Sequence, residues 1–143
     1  MNASNITIRI ADESDATALA KHDKHIPAET LAKKITNGEI YVAYDGDAFV
    51  GWLRYGLFWD NTPFINMLYV IDGYRGAGIG KKLTQFWEEQ MRARGYGALM
   101  TSTQQNETAQ HFYTLLGYRS IGGFMQSSGE YEIFFSKEIG GAE

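Results

Sequence analysis

The sequence has 143 residues, 44% of them hydrophobic and 21% charged, with a formal net charge of -4 and a pI of about 5.4. This predicts one globular domain over residues 1–143, and the acidic balance without a basic stripe argues against a nucleic-acid partner. The absence of cysteine excludes disulfides, thiolate metal ligands and cysteine nucleophiles. No secretion signal and no apolar run of ~18 residues occurs, so we expect a cytoplasmic protein without a membrane span.

The first third of the chain predicts a strand and two helices. Residues 6–10 alternate apolar and polar side chains, as a half-buried strand does. Asp12 can cap a helix that runs through about residue 25. Pro27 suits the first turn of a second helix, which Gly38 ends.

The middle of the chain predicts three strands and a long helix. Strands over 40–44 and 48–55 flank a tight Asp-Gly turn, and the apolar run 64–71 predicts a central strand. The helix over 79–94 is amphipathic, and Glu88 and Arg92 are expected to pair on its exposed side.

The last third predicts a strand over 98–103, a helix capped by Asn106, and a closing hairpin of strands over 118–125 and 130–135. Gly117 ends that helix. The order of elements is β-α-α-β-β-β-α-β-α-β-β, which indicates a mixed sheet covered by helices.

A glycine-rich segment joins the central strand to the long helix. Gly76, Gly78 and Gly80 allow a tight turn and a close approach of the backbone to a ligand. The first N–H groups of a helix have no intrahelical acceptor, and the helix dipole favours an anion beside them. With Arg75 and Lys81 flanking the turn, the segment predicts a phosphate-binding site.

Two common phosphate loops do not fit this segment. A P-loop would need glycine at position 75 and a hydroxyl at position 82, where the chain has Arg75 and Lys82. A dinucleotide fingerprint that starts at Gly76 or Gly78 would end on Lys81 or Leu83 instead of glycine.

The run Arg75-x-x-Gly78-x-Gly80 instead resembles the acyl-CoA loop of the GNAT (GCN5-related) N-acetyltransferases. A second run, Asn106-x-x-Ala109-x-x-Phe112-Tyr113-x-x-x-Gly117-Tyr118, is similar to the later motif of that family. The separation of the two runs and the order of the elements around them also match. The resemblance is specific over residues 64–118.

The resemblance implies an α/β (α+β) fold with a mixed, mostly antiparallel central sheet of about seven strands and four helices, splayed between the fourth and fifth strands. It implies direct transfer of an acetyl group from acetyl-CoA to a primary amine on a small molecule or a protein. It suggests a homodimer, and no metal site is expected.

The resemblance also implies roles for individual residues. Tyr113 would be the general acid that protonates the leaving thiolate. The pantetheine arm would pair with the main chain of the strand before the loop, and the diphosphate would lie on the turn. The implied cofactor-binding residues are Leu68, Val70, Arg75, Gly76, Ala77, Gly78, Ile79, Gly80, Lys81, Asn106 and Tyr113.

The general base is where the sequence departs from a common family pattern. Many relatives carry a glutamate on the strand before the loop, where this chain has Asn66, and an amide does not take up a proton at neutral pH. Three routes stay open: a water held by Asn66 or Ser102, a carboxylate such as Asp60 or Glu130, or an acceptor amine of low pKa. Asn66 would then position water in place of a base.

The acceptor site should involve the first two helices, the loop over 58–63 and the last hairpin. Its aromatic candidates are Phe58, Trp59, Phe64, Phe124 and Tyr131. Two alternatives to an active transferase stay open: a GNAT-like acyl-CoA-binding module without transferase activity, and an unrelated nucleotide-binding α/β protein.

Overall fold

The computed structural model describes residues 5–105 and 108–140. The strands are β1 (Ile6–Ile10), β2 (Ile40–Asp45), β3 (Ala48–Phe58), β4 (Thr62–Val70), β5 (Ala98–Gln104), β6 (Arg119–Met125) and β7 (Tyr131–Glu138). The helices are α1 (Ala16–His22), which follows a 3-10 turn (Glu13–Asp15), α2 (Ala28–Thr36), α3 (Ile79–Ala93) and α4 (Ala109–Leu115). Within this described part of the chain, no helix is both long and apolar enough to cross a bilayer.

The seven strands form one sheet in the order β1-β2-β3-β4-β5-β7-β6. β4 and β5 run parallel, whereas the β1–β2, β2–β3, β5–β7 and β6–β7 pairs are antiparallel. The predicted mixed, mostly antiparallel sheet with four helices is therefore confirmed. The parallel register covers only Phe64 with Met100 and Ile65 with Thr101, while β4 continues to Val70. So short a pairing is what the predicted splay requires.

One compact unit comprises Met1–Tyr55 and Met67–Trp87. Its core forms where α1 and α2 place apolar side chains on β2 and β3, and the burial of these side chains is the main source of its stability. The largest members of this core are Leu19, Leu31, Ile35, Ile40, Val42 and Trp52.

Helix α1 ends at His22, three residues before the end that the sequence predicts. The next residue, Asp23, is extended (φ -88°, ψ 97°) and only 4% exposed. Its carboxylate accepts hydrogen bonds from Arg54 Nε at 2.7 Å and from the Trp52 indole at 3.1 Å. These bonds to β3 fix the chain outside the helical conformation at this point.

The other compact unit comprises Gly56–Asn66 and Glu88–Glu143. In it β7 pairs with β5 over that strand's whole length, from Ala98 opposite Glu138 to Gln104 opposite Glu132. β6 covers the other side of β7, and every residue of β6 is exposed.

Glu88 corrects a prediction from the sequence. It is 5% exposed, accepts a hydrogen bond from the Tyr118 hydroxyl at 2.8 Å, and lies 3.1 Å from Lys137 Nζ. Burial raises the pKa of Tyr118, and the Glu88 carboxylate raises it further. Arg92 pairs instead with the exposed Glu89 at 2.9 Å. The predicted exposed Glu88–Arg92 pair is therefore wrong, because β7 and Tyr118 cover that face of the helix.

Candidate functional site

The glycine-rich turn between β4 and α3 has the backbone that its sequence predicts. Gly76 and Gly78 have φ values of 84° and 83°, in the left-handed region that other residues rarely adopt. A Cβ atom at either position would meet nothing within 4 Å. Neighbouring atoms leave room for a side chain at both positions. Glycine is therefore required for the backbone conformation and not for lack of space.

The N-terminus of α3 offers backbone N–H donors that the helix itself does not use. The first hydrogen bond inside the helix runs from Lys82 N–H to the Gly78 carbonyl at 3.0 Å. The N–H groups of Ile79, Gly80 and Lys81 precede it and have no acceptor within the helix. Ile79 is 1% exposed and anchors the turn, while Lys81 is exposed. These donors, the positive end of a 15-residue helix and an exposed cation suit a phosphate or diphosphate.

Arg75 holds the turn against the end of β4. Its Nε donates to the Val70 carbonyl at 2.9 Å, and its guanidinium lies 4.8 Å from the centre of the Tyr69 ring. Asp72 is 3.4 Å from the same guanidinium. Arg75 therefore stabilises the conformation of the turn in addition to supplying the predicted positive charge. Ala77, also in this turn, is half-buried.

The part of β4 that leads into the turn lies unusually close to β3. Leu68 and Val70 are half-buried there, and Ile71 N–H donates to the Val50 carbonyl at 2.8 Å. A Cβ on Gly51 would stand 2.8 Å from the Tyr69 carbonyl oxygen. Sequence reasoning missed Gly51, although a lone glycine inside a strand is a known signal of close backbone approach.

The predicted catalytic residues lie in the second unit. Tyr113 is 5% exposed on α4, with its ring 5.5 Å from that of Tyr118 and 6.3 Å from that of Phe135. Asn66 is exposed on β4. Asn106, predicted to cap α4 and to contact the cofactor, lies outside the described residues.

The two predicted carboxylates, Asp60 and Glu130, are both exposed in loops. The structure brings a different glutamate beside Ser102: the serine hydroxyl donates to Glu132 Oε2 at 2.6 Å. Glu132 is half-buried on β7, and sequence reasoning missed it. Its signal was an acidic side chain among the apolar residues 131–135 at the start of that strand.

Four of the five predicted aromatic residues form one cluster. Phe58 contacts Trp59 at 4.9 Å and Phe64 at 5.8 Å between ring centroids. Phe134 was not among the predicted residues, and its ring contacts those of Phe58, Phe64 and Phe124. The fifth, Tyr131, packs instead over Gly123, because alternation along β7 turns it to the other face of the hairpin.

Comparison with known protein families gives a match that covers most of the chain. The profile of the acetyltransferase (GNAT) family matches residues 8–118, which include the glycine-rich turn, Asn66 and Tyr113. Among the described residues, 5–105 and 108–140, no group of three or more histidine, aspartate or glutamate side chains could hold a metal ion.

The chain is also similar to individual proteins. It is 36% identical over 83 residues to N-alpha-acetyltransferase 30 of Schizosaccharomyces pombe. The aligned region covers 54% of this chain and 55% of that protein, so the match spans about half of the relative. The ribosomal-protein-S18-alanine N-acetyltransferase of Escherichia coli superposes with a TM-score of 0.78 at 18% identity over 96% of both chains. The protein yncA of Salmonella typhimurium, solved with its cofactor acetyl-CoA, superposes with a TM-score of 0.77 at 18% identity over 94% of both chains. These two likenesses show the fold.

Proposed function

The chain belongs to the acetyltransferase (GNAT) family, and from this premise we propose that it transfers an acetyl group directly from acetyl-CoA to a primary amine. The observation that carries the proposal is the turn at Gly76 and Gly78. Its left-handed glycines precede the first N–H groups of α3, which have no acceptor within the helix, and the turn lies inside the region that the family profile matches.

The residues of the turn fit acetyl-CoA as the cosubstrate. The N–H groups from Gly76 to Lys81 would hold the diphosphate, with Lys81 supplying positive charge. The main chain of Leu68 and Val70 would pair with the amides of the pantetheine arm. The Val70 carbonyl already accepts from Arg75, but a carbonyl oxygen has two lone pairs and can accept a second bond.

The chemistry needs a neutral amine and a proton for the leaving group. An alkylammonium with a pKa near ~10.4 must first lose a proton, after which its nitrogen attacks the thioester carbonyl. A main-chain N–H within residues 68–70 would stabilise the oxyanion. As the carbon–sulfur bond breaks, the thiolate would take the hydroxyl proton of Tyr113. The attacking nitrogen carries one extra proton in the tetrahedral intermediate, and it would return that proton through water to the tyrosinate.

For the first deprotonation we propose a water held by Asn66. Asn66 is exposed, so water reaches it, and its amide can both donate to and accept from that water. Ser102, the other predicted partner of the water, donates its proton to Glu132 in the structure, which leaves its oxygen as an acceptor only.

Replacing Gly78 with alanine tests the turn. The φ of 83° becomes strained by about 1–2 kcal/mol for an L-residue. If the turn relaxes to relieve that strain, we expect acetyl-CoA affinity to fall by roughly tenfold, the equivalent of about 1.4 kcal/mol. Isothermal titration with acetyl-CoA measures this loss. Gly46→Ala is the matched control, since Gly46 has a φ of 61° and open space in the β2–β3 hairpin. Equal losses of affinity in both variants would contradict the proposed diphosphate site.

The activity itself is tested by CoA release from acetyl-CoA in the presence of a panel of primary amines. The panel includes small alkylamines and arylalkylamines. It also includes peptides with a free α-amine, because one of the similar proteins named above is an N-alpha-acetyltransferase. Amine-dependent CoA release with formation of the amide supports the proposal. Acetyl-CoA binding without transfer to any amine would favour the alternative, an acyl-CoA-binding module without transferase activity. Asn66 is the observation behind this second candidate, because it stands where many relatives carry a glutamate.

Two further expectations concern location and assembly. A cytoplasmic location stays a prediction, tested by cell fractionation with an antibody to the protein. A homodimer likewise stays a prediction, suggested by the family resemblance and tested by light scattering during size-exclusion chromatography.

A further inference from the structure

One face of the second unit carries a carboxylate between phenylalanine rings. Glu132 on β7 lies directly opposite Phe124 on β6, and Phe134 lies opposite Ser102 on β5. Directly opposite residues share a face, with Cβ atoms about 4.5–5.5 Å apart. Glu132 and Phe134 are two residues apart on one strand and so also share this face. The carboxylate therefore has a ring across the sheet and another beside it.

The Glu132 carboxylate is held in a fixed orientation. Ser102 Oγ donates to one of its oxygens at 2.6 Å, and Gln126 Nε2 donates to the other at 3.1 Å. A carboxylate has about four acceptor sites, so two bonds leave capacity for the N–H groups of a ligand.

The phenylalanines form an open aromatic surface beside that charge. Phe134 meets Phe58, Phe64 and Phe124 edge to face, with centroid separations of 6.0, 5.8 and 5.8 Å. Phe124 is 50% exposed, and Phe58, Phe64 and Phe134 are half-buried. Aromatic faces attract cations and offer apolar contact area to a ligand.

We propose that Glu132 binds the ammonium group of the acceptor and that the phenylalanine cluster (Phe58, Phe64, Phe124 and Phe134) selects an amine carried on an apolar body. This inference rests on the proposed acetyl transfer and names the class of its substrate. An anionic ligand is repelled by the carboxylate, and a polar neutral one gains little from the rings. An organic cation with an apolar body complements both features, and Glu132 acts as a specificity-determining residue.

The inference is tested with Glu132→Gln and 2-phenylethylamine as the probe. Glutamine keeps the shape and can still bond to Ser102 and Gln126, so only the charge is lost. We expect the KM for 2-phenylethylamine to rise roughly 10- to 100-fold, the usual effect of losing a charged hydrogen-bond partner, with kcat changed less than threefold. Glu138→Gln is the matched control, since Glu138 has the same parity on β7 and an 82% exposed side chain. It should leave both constants at the wild-type values.

Three additional measurements complete the test. Phe134→Leu should raise the KM for 2-phenylethylamine more than that for 2-aminoethanol, because only the first amine has an apolar body. The KM for a peptide that begins with phenylalanine, compared with the KM for 2-phenylethylamine, shows whether the site prefers an α-amine or a free arylalkylamine. Titration of 2-phenylethylamine into the CoA-bound protein measures affinity without turnover, so the inference stays testable if the proposed transfer fails. An unchanged KM and affinity in Glu132→Gln, or a loss confined to kcat, would overturn it.

Discussion

Tyr113→Phe is expected to lower kcat by roughly 10²–10⁴-fold, the usual contribution of a general acid, while acetyl-CoA still binds. The change removes one oxygen atom and keeps the ring that packs against Tyr118 and Phe135 on α4. The thiolate must then take its proton from water. Single-turnover measurement of CoA release, with saturating amine and cofactor, reports the step directly.

The control for this variant is Tyr96→Phe, which removes a hydroxyl from a half-buried tyrosine after α3 to which no role is assigned. It should leave kcat unchanged. If Tyr113→Phe turned over within threefold of the wild-type enzyme, the proton would come from another group and the assignment would fail.

The features that the sequence predicted well are those that local chain chemistry dictates. Asp12 accepts a hydrogen bond from Ser14 N–H, as its capping role required. Gly76 and Gly78 adopt the left-handed backbone for which glycine is preferred, and Pro27 stands immediately before α2. Such signals depend on a few neighbouring residues, so one sequence contains them in full.

The features that it missed depend on partners distant in the sequence. Glu88 has the spacing of an exposed helical residue, and only the packing of β7 shows that Lys137 and Tyr118 cover it. Glu132 and Ser102 are 30 residues apart in the sequence, and the pairing of β5 with β7 brings them into contact. Gly51 lies against the Tyr69 carbonyl because β3 and β4 are neighbouring strands in the sheet. Register and helix rotation follow from the assembled core, which periodicity alone does not specify.

Arg54→Met is expected to lower the free energy of unfolding by about 3–5 kcal/mol, because it leaves the buried Asp23 charge without its partner. Both side chains are buried, at 6% and 4% exposure, and the guanidinium makes bonds of 2.7 and 3.2 Å to the carboxylate. Natural domains are stable by only about 5–15 kcal/mol, so this one pair decides a large part of the total. Urea unfolding followed by tryptophan fluorescence measures the loss.

A second variant keeps this prediction testable if Arg54→Met does not fold. Asp23→Asn combined with Arg54→Met removes both charges, and the amide oxygen of Asn can still accept the Trp52 indole proton at the position that now accepts it at 3.1 Å. Because the penalty comes from the unpaired charge, the double variant should recover most of the lost stability. Arg119→Met, which breaks a 4.0 Å pair between side chains that are 79% and 82% exposed, should unfold with the wild-type midpoint. A double variant no more stable than Arg54→Met would show that the packing of Arg54, and not its charge, holds the end of α1 on β3.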